Sequence, residues 1–140
     1  MKRALLILLV IMLVTVGAGY SFAVDKAPGK KVIVYYFHGN FRCPACHKLE
    51  QYSKEAIEAN FPDALTSGKL EFKAINVEER GNEHFTKDYR LYTKSLVISL
   101  VQDGKEVEEK NLGKIWEYSG DKQKFFEYVK SEINDFLKGL

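Results

Sequence analysis

Two cysteines are the whole thiol complement of this 140-residue chain, and they stand together in "RCPACH", residues 42–47. A C-x-x-C pair puts two sulfurs one helical turn apart, close enough to cycle between two thiols and a disulfide. The histidine that follows, His47, turns the same letters into C-x-x-C-H, the attachment pattern of a c-type haem. Two thiolates with His47 also form a soft donor set suited to zinc, copper(I) or arsenite. Three chemistries therefore compete for Cys43, Cys46 and His47.

The rest of the chain weighs on each. A haem iron usually needs a second axial ligand, often methionine, and the only methionines are Met1 and Met12, at the N-terminus. His38 and His84 are the remaining substitutes, and nothing in the pattern brings either to the far side of an iron. Structural zinc normally takes four ligands, and no second cysteine pair exists. Sulfur redox chemistry needs no other ligand. It needs a reactive thiolate, and a free cysteine with a pKa near about 8.5 is ionised by only a few per cent at neutral pH. The positive end of a helix lowers that pKa, and Arg42 adds a neighbouring positive charge. Pro44 suits a first helical turn, where its missing N–H costs nothing.

The elements around the motif supply that helix. "KVIVYYF" (31–37) is short, β-branched and aromatic, as expected of a strand buried on both faces of a sheet. "HGNFR" (38–42) is a loop. From Pro44 to about Ala59, Cys46, Leu49, Tyr52, Ala56 and Ile57 recur at helical spacing, with Lys48, Glu50, Lys54, Glu55 and Glu58 opposite. Residues 61–68 connect to a second strand, "KLEFKAINV" (69–77). In "EERGNEHFTKDYRLY" (78–92) a Gly-Asn break is expected to cap a helix carrying Phe85, Tyr89 and Tyr92. "SLVISLV" (95–101) is a third strand, Asp103-Gly104 a hairpin turn, and 106–113 a polar edge strand. Phe125, Phe126, Val129, Ile133, Phe136 and Leu137 form one face of a last helix over 121–137. Trp116 is expected to pack ahead of it.

The expected architecture is α/β, with the order β-α-β-α-β-β-α: a mixed sheet with helices on both faces. A strand, C-P-x-C at a helix start, β-α, then a hairpin through Asp-Gly and a closing helix resembles the thioredoxin superfamily over residues 31–138. More closely, "YYFHGNFRCPACHKLE", "NEHFTKDYRLY" and "TKSLVISL" resemble a small exported thioredoxin-like family found with arsenic-resistance genes. That family is labelled as the ArsF-type subunit of a nitrophenyl-compound nitroreductase. The resemblance implies that Cys43 is the exposed nucleophile and Cys46 the resolving thiol, with a Cys43–Cys46 redox-active disulfide and no other cofactor. It implies protein disulfides or dithiols as partners, together with a membrane thiol electron carrier. Two helpers of the superfamily are missing: Leu96 stands where a cis-proline is usual, and Phe37 where a buried acid is usual. No G-x-G-x-x-G follows any strand, so no flavin or nicotinamide fingerprint accompanies the nitroreductase label.

Composition sets the compartment. The chain opens with Lys2 and Arg3, an apolar run from Ala4 to Val16 interrupted only by Thr15, and small residues at Ser21 and Ala23. This is the pattern of a secretory signal peptide cleaved after Ala23, the alternative being a retained N-terminal membrane anchor. Residues 24–30 are expected to form a linker and 31–138 the domain, and the protein is expected in the periplasm or on the extracytoplasmic face of the membrane. Without the leader, 19 basic side chains balance 19 acidic ones. No basic stripe marks a nucleic-acid partner, and a monomer is expected.

Overall fold

The computed structural model describes residues 29–140, so the leader and most of the linker lie outside the described residues. The chain begins with β1 (Lys30–His38) and continues through α1 (Pro44–Asn60), α2 (Pro62–Thr66) and β2 (Leu70–Asn76). Then come α3 (His84–Asp88), β3 (Ser95–Gln102), β4 (Lys105–Asn111) and α4 (Lys122–Leu137). Two short 3₁₀ turns, Gly113–Ile115 and Glu117–Gly120, join β4 to α4.

The sheet order is β2-β1-β3-β4. β1 runs parallel to β2, with Val34 opposite Phe72, and antiparallel to β3, with Val34 opposite Ile98. A central strand satisfies both of its backbone edges within the sheet, and its apolar run follows from burial on both faces. The parallel β1–β2 pair requires a crossover, which α1 and α2 provide.

Strand alternation divides β1 between two layers. Val32, Val34 and Tyr36 face the principal core with Leu96, Ile98 and Leu100 of β3, under α1 and α4. Leu49, Ala56 and Ile57 of α1 meet Phe125, Val129 and Ile133 of α4 there. On the opposite face, Tyr35 and Phe37 stack at 5.4 Å between ring centres and pack against Phe85 and Tyr89. Helices thus cover both faces, but unequally: two long ones on one side, and a five-residue turn with an aromatic cluster on the other.

That inequality corrects one expectation. The helix carrying Phe85, Tyr89 and Tyr92 is only His84–Asp88, with Tyr89 at its C-terminal boundary. Asn82 does not cap it; its amide donates to the carbonyl of Asn76 at 3.1 Å. Tyr92 lies beyond the helix with its ring 96% exposed. The hairpin is as expected. Asp103 and Gly104 adopt φ of +52° and +78°, the left-handed pair that matches strand twist in a two-residue turn. β4 is exposed along its length and rich in Lys and Glu, which shields a free edge from pairing with other chains.

Candidate functional site

The dithiol sits where β1 gives way to α1. Before reaching it, the chain passes through a loop fixed to the end of β2. Val77 N–H donates to His38 O at 2.8 Å, Asn40 N–H to Glu78 Oε2 at 3.2 Å, and the Asn76 amide to Asn40 Oδ1 at 2.8 Å. Gly39 leaves room for this clamp, because a Cβ there would come within 2.3 Å of Glu78 Oε1, the end of an exposed side chain. Gly39→Ala therefore displaces the Glu78 carboxylate and its bond to Asn40. Losing one hydrogen bond of this exposed kind lowers the unfolding free energy by about 1 kcal/mol, read as a reduced urea midpoint.

Cys43 is the N-cap of α1, with φ −79° and ψ 161°, and Pro44 opens the first turn. Its sulfur accepts the Cys46 N–H at 3.2 Å, taking the part usually played by a Ser, Thr or Asp oxygen. The His47 N–H donates to Cys43 O at 3.1 Å. Cys43 and Cys46 form a disulfide with their Cα atoms 5.0 Å apart, within the ordinary range. The two residues are not equivalent: Cys43 is half-buried, whereas Cys46 is 1% exposed.

The supporting residues separate. Pro44 is exposed at the mouth of the site. Arg42 pairs with Glu50, one turn beyond the motif on α1, so its charge is compensated rather than free for a thiolate. His47 is exposed beside Arg42, Glu50, Gln51 and Lys54 in a shallow groove. His38 is held in the loop, its Nδ1 3.0 Å from Gly39 O, and lines a cleft of about 350 Å³ with Gly39, Val77, Glu78 and Lys94. His84 pairs with Asp88 at 2.8 Å on α3, across the sheet from α1. Among the described residues no three His, Cys, Asp or Glu side chains are gathered to hold a metal ion. Of the alternative set Cys43, Cys46 and His47, the two sulfurs are joined in the disulfide and His47 is exposed one residue further along α1.

The position of the two missing helpers is plain. Leu96 is a fully buried strand residue opposite Tyr36, and no peptide bond among the described residues is cis. Phe37 is buried in the aromatic cluster of the outer face, so no acid lies beneath the dithiol at that place.

One residue escaped the sequence reading. Tyr36, fully buried at the end of β1, donates its hydroxyl to Cys46 O at 2.7 Å. Burial pushes its pKa up to about 12, opposed by the Arg42 charge and reinforced by Glu50. The signal was present in the alternation: Tyr36 shares the inward register of Val32 and Val34, and a buried tyrosine hydroxyl normally finds an acceptor.

Exposed aromatic rings gather around Lys94. Phe41 is 75% exposed, with Lys94 Nζ 5.7 Å from its ring centre. Trp116, 36% exposed, donates its Nε1–H to the Lys94 carbonyl at 3.0 Å. It is a half-exposed clamp on the 92–94 segment rather than the packing residue expected.

A β1-α1-β2 crossover followed by a hairpin and closing helix, in strand order β2-β1-β3-β4, with the dithiol at the β1–α1 junction, is the topology the resemblance implied. The fold is thioredoxin-like. No family model matches the chain, and no curated relative does. Among solved structures it is similar to thioredoxin O2 from Arabidopsis thaliana in the oxidized state. That match has 11% identity and a TM-score of 0.42, over 69% of this chain and 76% of the other. It is also similar to Fasciola hepatica thioredoxin, with 20% identity and a TM-score of 0.41 over 72% and 80%. A thioredoxin from Entamoeba histolytica gives 19% and 0.40 over 74% and 84%.

Proposed function

We propose that this chain is an exported thiol–disulfide oxidoreductase or electron-transfer protein that works through Cys43 and Cys46. The observation that carries the reading is the asymmetry of the disulfide at a helix N-terminus: Cys43 is partly exposed and Cys46 is buried. In the reducing direction, the Cys43 thiolate attacks one sulfur of a substrate disulfide. A Cys43–substrate bond forms and the other substrate sulfur leaves as a thiolate, which takes up a proton. Cys46 then loses its proton and attacks Cys43 Sγ, closing the disulfide and releasing the second substrate thiolate. Two electrons have passed to the substrate. The oxidising direction is the reverse, and it begins with a substrate thiolate attacking Cys43, the accessible sulfur.

The thiolate is favoured by two features of the first turn. The helix dipole contributes about 0.3–1 kcal/mol, and the Cys46 N–H, as a donor to a charged acceptor, about 1.5–3 kcal/mol. Both favour the thiolate over the thiol, so the Cys43 pKa in the reduced protein is expected below its ordinary value. With Arg42 held by Glu50, helix and N–H carry this effect. Titration of thiolate absorbance in the reduced protein tests it, and a pKa near about 8.5 is the adverse result. Catalytic reduction of an insulin-type disulfide substrate tests the activity itself.

Protein substrates suit the surroundings. Phe41, two residues before Cys43, and Tyr92 and Trp116 present exposed aromatic surface around Lys94. The leader pattern of residues 1–23 supports export, and export supports a membrane thiol carrier as electron partner. The finer resemblance, to the ArsF-type family, is carried by sequence motifs. Within a nitro-reducing complex, a chain lacking a nucleotide fingerprint passes electrons onward rather than reducing the nitro group itself. The reduction potential decides direction: about −120 mV marks an oxidant and about −270 mV a reductant.

A further inference from the structure

The Tyr36 hydroxyl reaches the motif from below, at the one backbone carbonyl that belongs to the buried cysteine. We propose that Tyr36 is a positioning residue for the dithiol, holding the first turn of α1 so that the Cys46 N–H is presented to the sulfur of Cys43. This rests on the reading of Cys43–Cys46 as a cycling pair.

The connection is a short chain of hydrogen bonds. Tyr36 donates to Cys46 O at 2.7 Å. The peptide carrying that oxygen continues into the His47 N–H, which donates to Cys43 O at 3.1 Å. Bonds linked through one peptide polarise and reinforce each other. The same turn holds the Cys46 N–H 3.2 Å from Cys43 Sγ. Helix first turns fray readily, because their N–H groups have no partners within the helix. Here an anchor from the central strand of the sheet opposes that fraying.

The anchor acts unequally on the two redox states. In the disulfide, Cys43 Sγ is a weak neutral acceptor and the covalent ring itself holds the turn. In the reduced state the ring is open, and the thiolate is a charged acceptor for the same N–H, a stronger interaction. Loss of the hydroxyl therefore costs the reduced form more than the oxidised form, and the pair becomes more reducing.

Tyr36→Phe keeps the ring and removes only the hydroxyl. The purified protein is equilibrated in dithiothreitol redox buffers, and the dithiol–disulfide equilibrium is read from trapped thiols. The expected result is a threefold to tenfold fall in the equilibrium constant for reduction, about 14 to 30 mV at 29.6 mV per tenfold. The Cys43 pKa is expected to rise with it. Ile133→Val, a buried change in α4, supplies a control for general loss of stability and leaves the constant unchanged. An unshifted Tyr36→Phe protein overturns the proposal, as does an equal shift in Ile133→Val. The equilibrium is measured without a protein substrate. A wild-type protein that titrates normally yet exchanges with no protein disulfide overturns the proposed function, while the Tyr36 comparison still decides this inference.

Discussion

Cys43→Ser abolishes exchange with a disulfide substrate, whereas Cys46→Ser still takes the first step and accumulates a mixed disulfide. The difference follows from burial. Cys43 caps α1 and is partly exposed, and Cys46 is buried at 1% exposure. A serine at 43 restores a good N-cap oxygen, so the helix start survives and the loss is chemical. A serine at 46 leaves the nucleophile and its helix in place but removes the thiol that would resolve the intermediate. Mass spectrometry of each variant after mixing with an excess of substrate distinguishes them. A covalent adduct on Cys43→Ser, or full turnover by Cys46→Ser, would overturn the assigned roles.

Phe125→Ala lowers the unfolding free energy by about 3–5 kcal/mol, the usual cost of emptying a buried phenylalanine site. This is a large part of the about 5–15 kcal/mol that holds a typical domain together. Phe125 is fully buried in the first turns of α4 and meets Tyr52 of α1 edge-on, with ring centres 5.6 Å apart. It is therefore one of the apolar contacts, with Val129 and Ile133, by which the closing helix packs on the helix carrying the dithiol. Near it, Lys122 pairs with Glu55 at 2.6 Å and lies over the Tyr52 and Phe126 rings, but an exposed ion pair contributes little beside such a contact. Urea unfolding of the oxidised protein reads the change. Val107→Ala, on the exposed edge strand, is the contrasting case and leaves the midpoint nearly unmoved. A Phe125→Ala midpoint equal to that of Val107→Ala would show that α4 is not anchored there.

What could be read without coordinates was what local chemistry encodes. "KVIVYYF" is apolar at every position but its first because β1 has a neighbour on each side and a layer on each face. Pro44 marks the helix start through its absent N–H, and Asp103-Gly104 marks the hairpin through its backbone angles. Cys43 and Cys46 were legible because their spacing is itself the chemistry. The third helix was overdrawn at Tyr92 because aromatic spacing suggested a longer amphipathic face. In the fold, Phe85 and Tyr89 alone reach the Tyr35–Phe37 stack, and the chain turns away at Arg90, where φ is +50°. The Arg42–Glu50 pair and the Tyr36–Cys46 bond lay hidden for a different reason. Each joins residues eight or ten positions apart across a change of element, and neither helical nor strand periodicity carries across such a junction.

The ring closed by Cys43 and Cys46 contains only four residues. Cross-linking so short a segment removes about 2 kcal/mol of unfolded-state freedom, against about 4.7 for a hundred-residue loop. Opening it costs the domain less than losing a long-range cross-link would, since strand pairing and the Phe125 contact lie elsewhere. The sulfur pair can therefore open and close while the architecture stays in place, as the proposed redox cycle requires.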